Sequence, residues 1–144
     1  MNQPSIEPLL DAIYAAFPVG VPPARPITGH RCYECDETDR LLGGRTWIDV
    51  AANFPQSCHD TFPLLTLAAQ TYYLPAFLCF ALRSPGYMAS VSAQCALERG
   101  YPDSKSFTRE QRLAVWAWAE WHYGQSLAQF PPDSVAEDWW LSEG

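Results

Sequence analysis

The stretch that most constrains the fold is LAAQTYYLPAFLCFALR, residues 67–83, which is apolar on nearly every side and carries one charge, Arg83, at its end. A helix that is hydrophobic all round needs other elements to cover each of its faces. The stretch therefore predicts a central core helix. Pro75 is expected to kink this helix or to split it in two, because proline lacks an N–H donor and clashes with the preceding turn.

Amphipathic patterns before and after this stretch predict the helices that cover it. The N-terminal SIEPLLDAIYAAF places apolar side chains at helical spacing, and TWIDVAANF favours a short helix capped by Thr46, although its alternation would also permit a strand. Thr108 and Gln111 form a capping box at the start of a later helix. Two further helices are expected to begin at Ser84 and Ser134.

These elements predict one all-α domain over residues 1–144. A chain of 144 residues has a common size for a single domain, and we expect a compact bundle of five to seven helices. Four prolines exclude regular structure near the N-terminus, so residues 18–35 are predicted to form a Pro- and Cys-rich loop. Residues 66–123 are predicted to supply the central core helices.

The charge balance disfavours two classes of partner. The net charge is −7, with 16 acidic residues against nine basic ones. Such a surface repels nucleic acids and anionic lipids but would steer a basic protein toward it. No apolar run reaches the roughly 18 residues of a membrane helix, and the N-terminus lacks the pattern of a signal peptide. We therefore expect a cytoplasmic protein, and the odd number of five cysteines fits a reducing compartment.

The stretch GHRCYECDETDR, residues 29–40, is the densest group of chemically active side chains in the sequence. It contains the pattern H-x-C-x-x-C, and a Cys-x-x-Cys turn can present two thiolates to one zinc ion. Cys58 and His59 could complete the site, but neighbouring side chains usually point in different directions. The candidate zinc ligands are Cys32, Cys35 and Cys58 with either His30 or His59.

Redox and hydrolytic chemistry are less favoured by the same residues. Acidic neighbours raise the pKa of a thiol, which argues against a reactive Cys32–Cys35 pair. Cys58-His59-Asp60 has the residue types of a triad, but side chains adjacent in sequence rarely form one. No catalytic residue is therefore predicted, and the chain is interpreted as a non-enzyme.

The favoured interpretation of the motif is a core cover with an acidic outer edge. Cys32, Tyr33 and Cys35 would cover the core, and Asp36 would cap a short helix that ends before Gly43. Cys79 and Cys95 are expected to be core thiols, and Trp116 and Trp121 core side chains. The predicted partner-binding residues are Tyr33, Glu34, Asp36, Glu37, Asp39, Trp118, Trp139 and Trp140.

Three short motifs also carry a resemblance. They are Glu34-Cys35, the run YLPAFL that starts at Tyr73, and Phe107-Thr108 with Gln111. In this order they resemble a family of small, acidic bacterial proteins with no established reaction, over roughly residues 30–122. The resemblance implies a single domain and supplies no catalytic residue.

Bacterial proteins of this size and charge include many immunity proteins. The link to this chain is an analogy with that class of protein. The predicted function is therefore cytosolic, non-enzymatic protein binding, with neutralisation of a basic toxin domain as the specific hypothesis. The alternative is a small zinc-binding metalloprotein.

Overall fold

The computed structural model describes residues 6–30, 32–58, 61–84 and 106–125. These ranges contain five α-helices and two 3-10 turns, at Gln56–Cys58 and Phe62–Leu64, and no strand beyond an isolated bridge between Thr28 and Leu65. The helices are α1 Glu7–Ala16, α2 Tyr33–Leu42, α3 Trp47–Ala52, α4 Leu67–Arg83 and α5 Arg109–Gln125. The prediction of an all-α fold with five to seven helices is confirmed.

The central helix α4 begins where Thr66 Oγ1 accepts a hydrogen bond from Ala69 N–H at 3.2 Å. Its residues from Tyr73 to Leu82 are all buried, as expected for a helix covered on every face. The helix continues through Pro75 and is not split there. Burial of the surrounding turns outweighs the single hydrogen bond that the proline removes.

Helices α1 and α3 pack against α4, and α5 packs against α1. Aromatic rings fill the contact around Phe77, whose ring centroid lies 5.0 Å from that of Phe54 and 5.1 Å from that of Phe62, both edge to face. Such pairs add to the free energy gained from burial alone. The core is therefore built mainly from apolar side chains of α4 and its neighbours.

Two adjacent tyrosines attach the remaining segments to α4. Tyr73 Oη lies 2.8 Å from the carbonyl oxygen of Leu42 and 2.7 Å from that of Arg45, so it satisfies the turn between α2 and α3. Burial raises the pKa of Tyr73 to about 12. Tyr72 donates to Val19 O at 2.7 Å and accepts from Trp47 N–H at 3.1 Å. The proline-rich segment is thereby held against the helical core.

Several predicted details of the helices can be compared with the structure. Thr46 caps α3 as predicted, and Thr108 and Gln111 form the expected capping box, with reciprocal hydrogen bonds of 3.2 and 2.9 Å. Cys79 and Trp116 are buried as predicted, and Trp121 is partly buried against the core. Cys95 and the helices expected after Ser84 and Ser134 lie outside the described residues.

Within the described ranges, no helix combines the length and the apolar character needed to cross a bilayer.

Candidate metal centre

Helix α2 begins earlier than the sequence predicts. Its first residue is Tyr33 and its N-cap is Cys32, whose backbone is extended and whose Sγ accepts a hydrogen bond from Cys35 N–H at 3.3 Å. Asp36 lies inside the first turn, so the prediction that it caps the helix is wrong. The loop likewise ends before residue 33 rather than at 35. The early start places Cys32 and Cys35 on one face, because residues three apart are neighbours on a helix.

Asp39, one turn further along α2, holds the loop that carries His30. Its carboxylate accepts hydrogen bonds from Arg25 Nη2 at 3.0 Å, from Arg25 Nε at 3.1 Å and from Ile27 N–H at 2.9 Å. Partial burial raises the pKa of Asp39, but the Ile27 N–H and the Arg25 guanidinium outweigh it and place that pKa below its usual value. The Asp39 carboxylate is therefore a structural anchor.

The same loop is also attached to the segment that precedes α4. Thr66 N–H donates to Ile27 O at 2.8 Å, Gly29 N–H donates to Leu64 O at 3.1 Å, and Thr28 forms the isolated bridge with Leu65. The loop therefore runs between α2 and the start of α4, with backbone hydrogen bonds on one side and Asp39 on the other. This double attachment places His30 against the N-terminus of α2.

His30, Cys32 and Cys35 converge at this point. Their ligand atoms all lie within 4.8 Å of one another, and Cys35 Sγ is 3.3 Å from His30 Nδ1. Ligand atoms around a tetrahedral zinc ion lie about 3.5–3.8 Å apart, given its usual bond lengths. Cys35 is fully buried, whereas His30 and Cys32 are exposed, and no disulfide joins the two cysteines. Small side-chain movements would bring the three atoms into zinc-binding positions.

The surroundings of Cys35 are polar although its side chain is buried. A hydrogen bond with Cys32 and then burial raise the pKa of the Cys35 thiol, while the His30 backbone N–H and the Thr28 hydroxyl act in the opposite direction. The His30 N–H and the Thr28 hydroxyl are donors from which a metal-bound thiolate can accept hydrogen bonds. Metal binding would displace the thiol proton, as it does in structural zinc sites.

Cys58 does not join this cluster, so its assignment as a ligand is wrong. Its buried side chain lines a cleft with Tyr33, Glu37 and Thr38, whereas His30 lines another cleft with Asp36 and Asp39. At 100° per residue, these two sets of α2 side chains lie on opposite faces of the helix. His59, the other predicted ligand, lies outside the described residues.

The predicted acidic surface is smaller than the sequence indicates. Tyr33 is 84% exposed and Cys32 is exposed too, so the prediction that these two side chains cover the core is wrong. Glu34 and Asp36 are exposed beside Tyr33. Glu37 forms an ion pair with Arg40, whose hydrogen bond lowers the pKa of Glu37. Asp39 forms an ion pair with Arg25, so its carboxylate already has a partner within the protein, and its assignment as a partner-binding residue stays a prediction.

The predicted tryptophan anchors are not all at the surface. Trp118 is fully buried, so its assignment as a partner-binding residue is wrong. Its ring stacks on that of His122, with centroids 5.0 Å apart and planes 6° from parallel. Trp139 and Trp140 lie outside the described residues.

Sequence reasoning missed Arg25 and Thr28, and it identified Gly43 only as the end of a helix. Gly43 is needed because a Cβ at this position would lie 2.5 Å from Asp39 O and 2.7 Å from Arg25 Nε. Arg25 lies fourteen positions before Asp39, so only the fold brings the two together. A glycine directly after an apolar helix end predicts the end of that helix. It does not predict that an arginine side chain packs against the glycine.

Comparisons with known protein families, with curated proteins and with solved structures find no match for this chain. The resemblance to small acidic bacterial proteins therefore stays a prediction.

Proposed function

We propose that this chain is a small cytosolic zinc-binding protein whose ion is held by His30, Cys32 and Cys35. The observation that carries the proposal is the convergence of their three ligand atoms within 4.8 Å. One imidazole and two thiols are the donor set that zinc prefers among common cellular metals. Their support by Thr28 and by the loop that Asp39 anchors fits a preorganised site.

The three side chains leave one position of a tetrahedron to another ligand. A closed structural site would take a fourth protein ligand, for which His59 is a candidate from the sequence, and an open site would take water. A structural role is favoured because the cluster joins the loop at 25–30 to the first turn of α2. Zinc would then stabilise the attachment of two segments that hydrogen bonds already hold together.

The test combines the zinc content of the wild type with the zinc affinity of one cysteine variant. The protein purified without added chelator should contain about one equivalent of zinc by elemental analysis. Exchange of Cys32 for serine should lower zinc affinity by at least about 100-fold, measured by competition with a chromophoric chelator. Serine keeps an N-cap oxygen for α2, so the fold should persist. A folded protein that binds no zinc would refute the proposal.

A second candidate function is the docking of a basic protein, for which a toxin domain is the specific hypothesis. Tyr33 favours it, because an 84% exposed aromatic side chain beside the exposed acids Glu34 and Asp36 offers an interface anchor with complementary charge. The product of an adjacent gene is the partner to test. Exchange of Tyr33 for alanine should weaken that complex by at least about tenfold.

Val21 provides the matched control, since it is 86% exposed and lies in the loop before the cluster. Its exchange for alanine should leave the affinity unchanged. Equal losses in the two variants, or a complex that tightens as salt rises, would count against docking through the Tyr33 surface.

A further inference from the structure

Cys32 and Cys35 differ in access although they are close together. Cys32 is exposed at the N-cap of α2, whereas Cys35 is fully buried one turn inside. Their sulfur atoms lie within 4.8 Å, so a movement of about 3 Å or less would bring them to the length of an S–S bond. An external reagent can therefore reach the sulfur of Cys32 but not that of Cys35. The Cys35 sulfur can in turn reach Cys32 after a small movement.

The two sulfurs also have different neighbours. His30 Nδ1 lies within hydrogen-bond distance of Cys35 Sγ, at 3.3 Å, whereas Cys32 Sγ accepts a hydrogen bond from Cys35 N–H. Among the acids near the motif, Glu37 is paired with Arg40 and Asp39 with Arg25. Of the three acids closest in sequence to the cysteine pair, Glu34, Asp36 and Glu37, one is therefore neutralised within the protein.

We propose that Cys32 and Cys35 form a redox-active dithiol that reacts with disulfides, with Cys32 as the attacking thiol and Cys35 as the resolving thiol. The Cys32 thiolate attacks one sulfur of a disulfide RSSR and forms Cys32–S–S–R. The first RS⁻ leaves and takes up the proton that Cys32 lost.

Cys35 then attacks the sulfur of Cys32 as its thiolate. The Cys32–Cys35 disulfide forms, the second RS⁻ leaves, and this thiolate takes up the proton that Cys35 lost. The protein dithiol is oxidised by two electrons, and RSSR is reduced to two RSH. Where zinc is bound, the same reaction removes two of its ligands and releases the ion; this consequence rests on the proposed function.

The test uses the full chain, reduced and freed of metal, with oxidised glutathione as the disulfide. Peptide mapping by mass spectrometry should find the Cys32–Cys35 disulfide in the wild type. The variant Cys35→Ser should instead accumulate a glutathione adduct on Cys32, because the resolving thiol is gone. The variant Cys32→Ser should react at least about tenfold more slowly and should leave Cys35 unmodified.

Cys79 is the internal control, since its buried thiol should stay unmodified in every variant over the same time. Should Cys35→Ser fail to fold by circular dichroism, Cys35→Ala serves in its place. An adduct on Cys35 in Cys32→Ser, or a wild type that keeps glutathione on Cys32 without closing the disulfide, would overturn the inference.

Zinc titration of the same preparation separates the two proposals. A protein that closes the disulfide but binds no zinc supports the dithiol and refutes the proposed function. A protein that binds zinc but never forms the Cys32–Cys35 disulfide when metal-free refutes the dithiol alone.

Discussion

Cys35 in α2 and Cys79 in α4 are both fully buried thiols, yet their surroundings give them different chemistry. Burial raises the pKa of Cys79 to about 12, with Arg83 opposing the shift. The pKa of Cys35 is raised first by its hydrogen bond with Cys32 and only then by burial, and it has His30 and Thr28 as further partners. Cys79 is therefore a core thiol, whereas the polar neighbours of Cys35 make it a candidate metal ligand.

The same contrast extends to what holds each region together. Around Cys79, α4 is stabilised by apolar and aromatic contacts, of which those of Phe77 are representative. Around Cys35, the cluster depends on hydrogen bonds to Asp39 and to the segment before α4. Substitutions in the core should thus change stability more than metal affinity, and substitutions in the anchors should change both.

The largest loss of stability is expected for exchange of Phe77 for alanine. Its fully buried ring contacts Phe54 and Phe62, so the free energy of unfolding should fall by about 3–5 kcal/mol in urea denaturation of the metal-free protein. Zinc affinity of the molecules that remain folded should be unchanged. A large loss of affinity in this variant would mean that the core and the cluster are not separable.

A smaller loss is expected for exchange of Gly43 for alanine, because the added Cβ would collide with Asp39 O and Arg25 Nε. Displacing these groups should cost about 1–3 kcal/mol of unfolding free energy. Exchange of Gly29 for alanine is the matched control, since a Cβ there meets nothing within 4 Å. Equal losses of unfolding free energy in the two variants would contradict close packing of Arg25 against Gly43.

Exchange of Asp39 for asparagine tests the anchor itself. The asparagine cannot accept both guanidinium bonds and the Ile27 N–H as the carboxylate does, so we expect a loss of about 1–3 kcal/mol. Zinc affinity should fall by about 10- to 100-fold, because the loop that carries His30 is loosened. Exchange of Glu37 for glutamine, on the same helix, should change neither quantity measurably.

The smallest expected effect is on acid stability. The pKa of Asp39 is lower in the folded chain than in the unfolded one, so its contribution is present above the unfolded value of about 4 and is lost as the pH falls through the folded value. Urea denaturation of the metal-free protein should show a smaller decline below pH 4 in the asparagine variant than in the wild type. An identical decline of stability in the variant and the wild type would mean that other carboxyl groups cause the acid sensitivity.

Local patterns predicted the helices well, because each depends on residues close in sequence. The apolar run of α4 and the Thr108–Gln111 capping box are examples, and both are confirmed. The cap of α2 was missed because cysteine is not among the preferred N-cap residues. Patterns of neighbouring residues therefore predict the helices better than they predict where each helix begins and ends.

The site was predicted only in part, because it depends on distant partners. The H-x-C-x-x-C spacing correctly selected His30, Cys32 and Cys35 as neighbours. The position of Cys58 could not be predicted, since it depends on which face of α2 the turn at 56–58 packs against. The ion pair that occupies Asp39 likewise joins residues fourteen positions apart.

The most direct test compares cobalt binding by the wild type, Cys35→Ser and Cys79→Ala. Cobalt(II) replaces zinc in such sites and reports thiolate ligands through its charge-transfer absorption. The wild type and Cys79→Ala should give the same tetrahedral spectrum with a thiolate band, and Cys35→Ser should lose part of that band and bind cobalt at least about 100-fold more weakly. Equal binding by all three folded proteins would contradict a metal site at His30, Cys32 and Cys35.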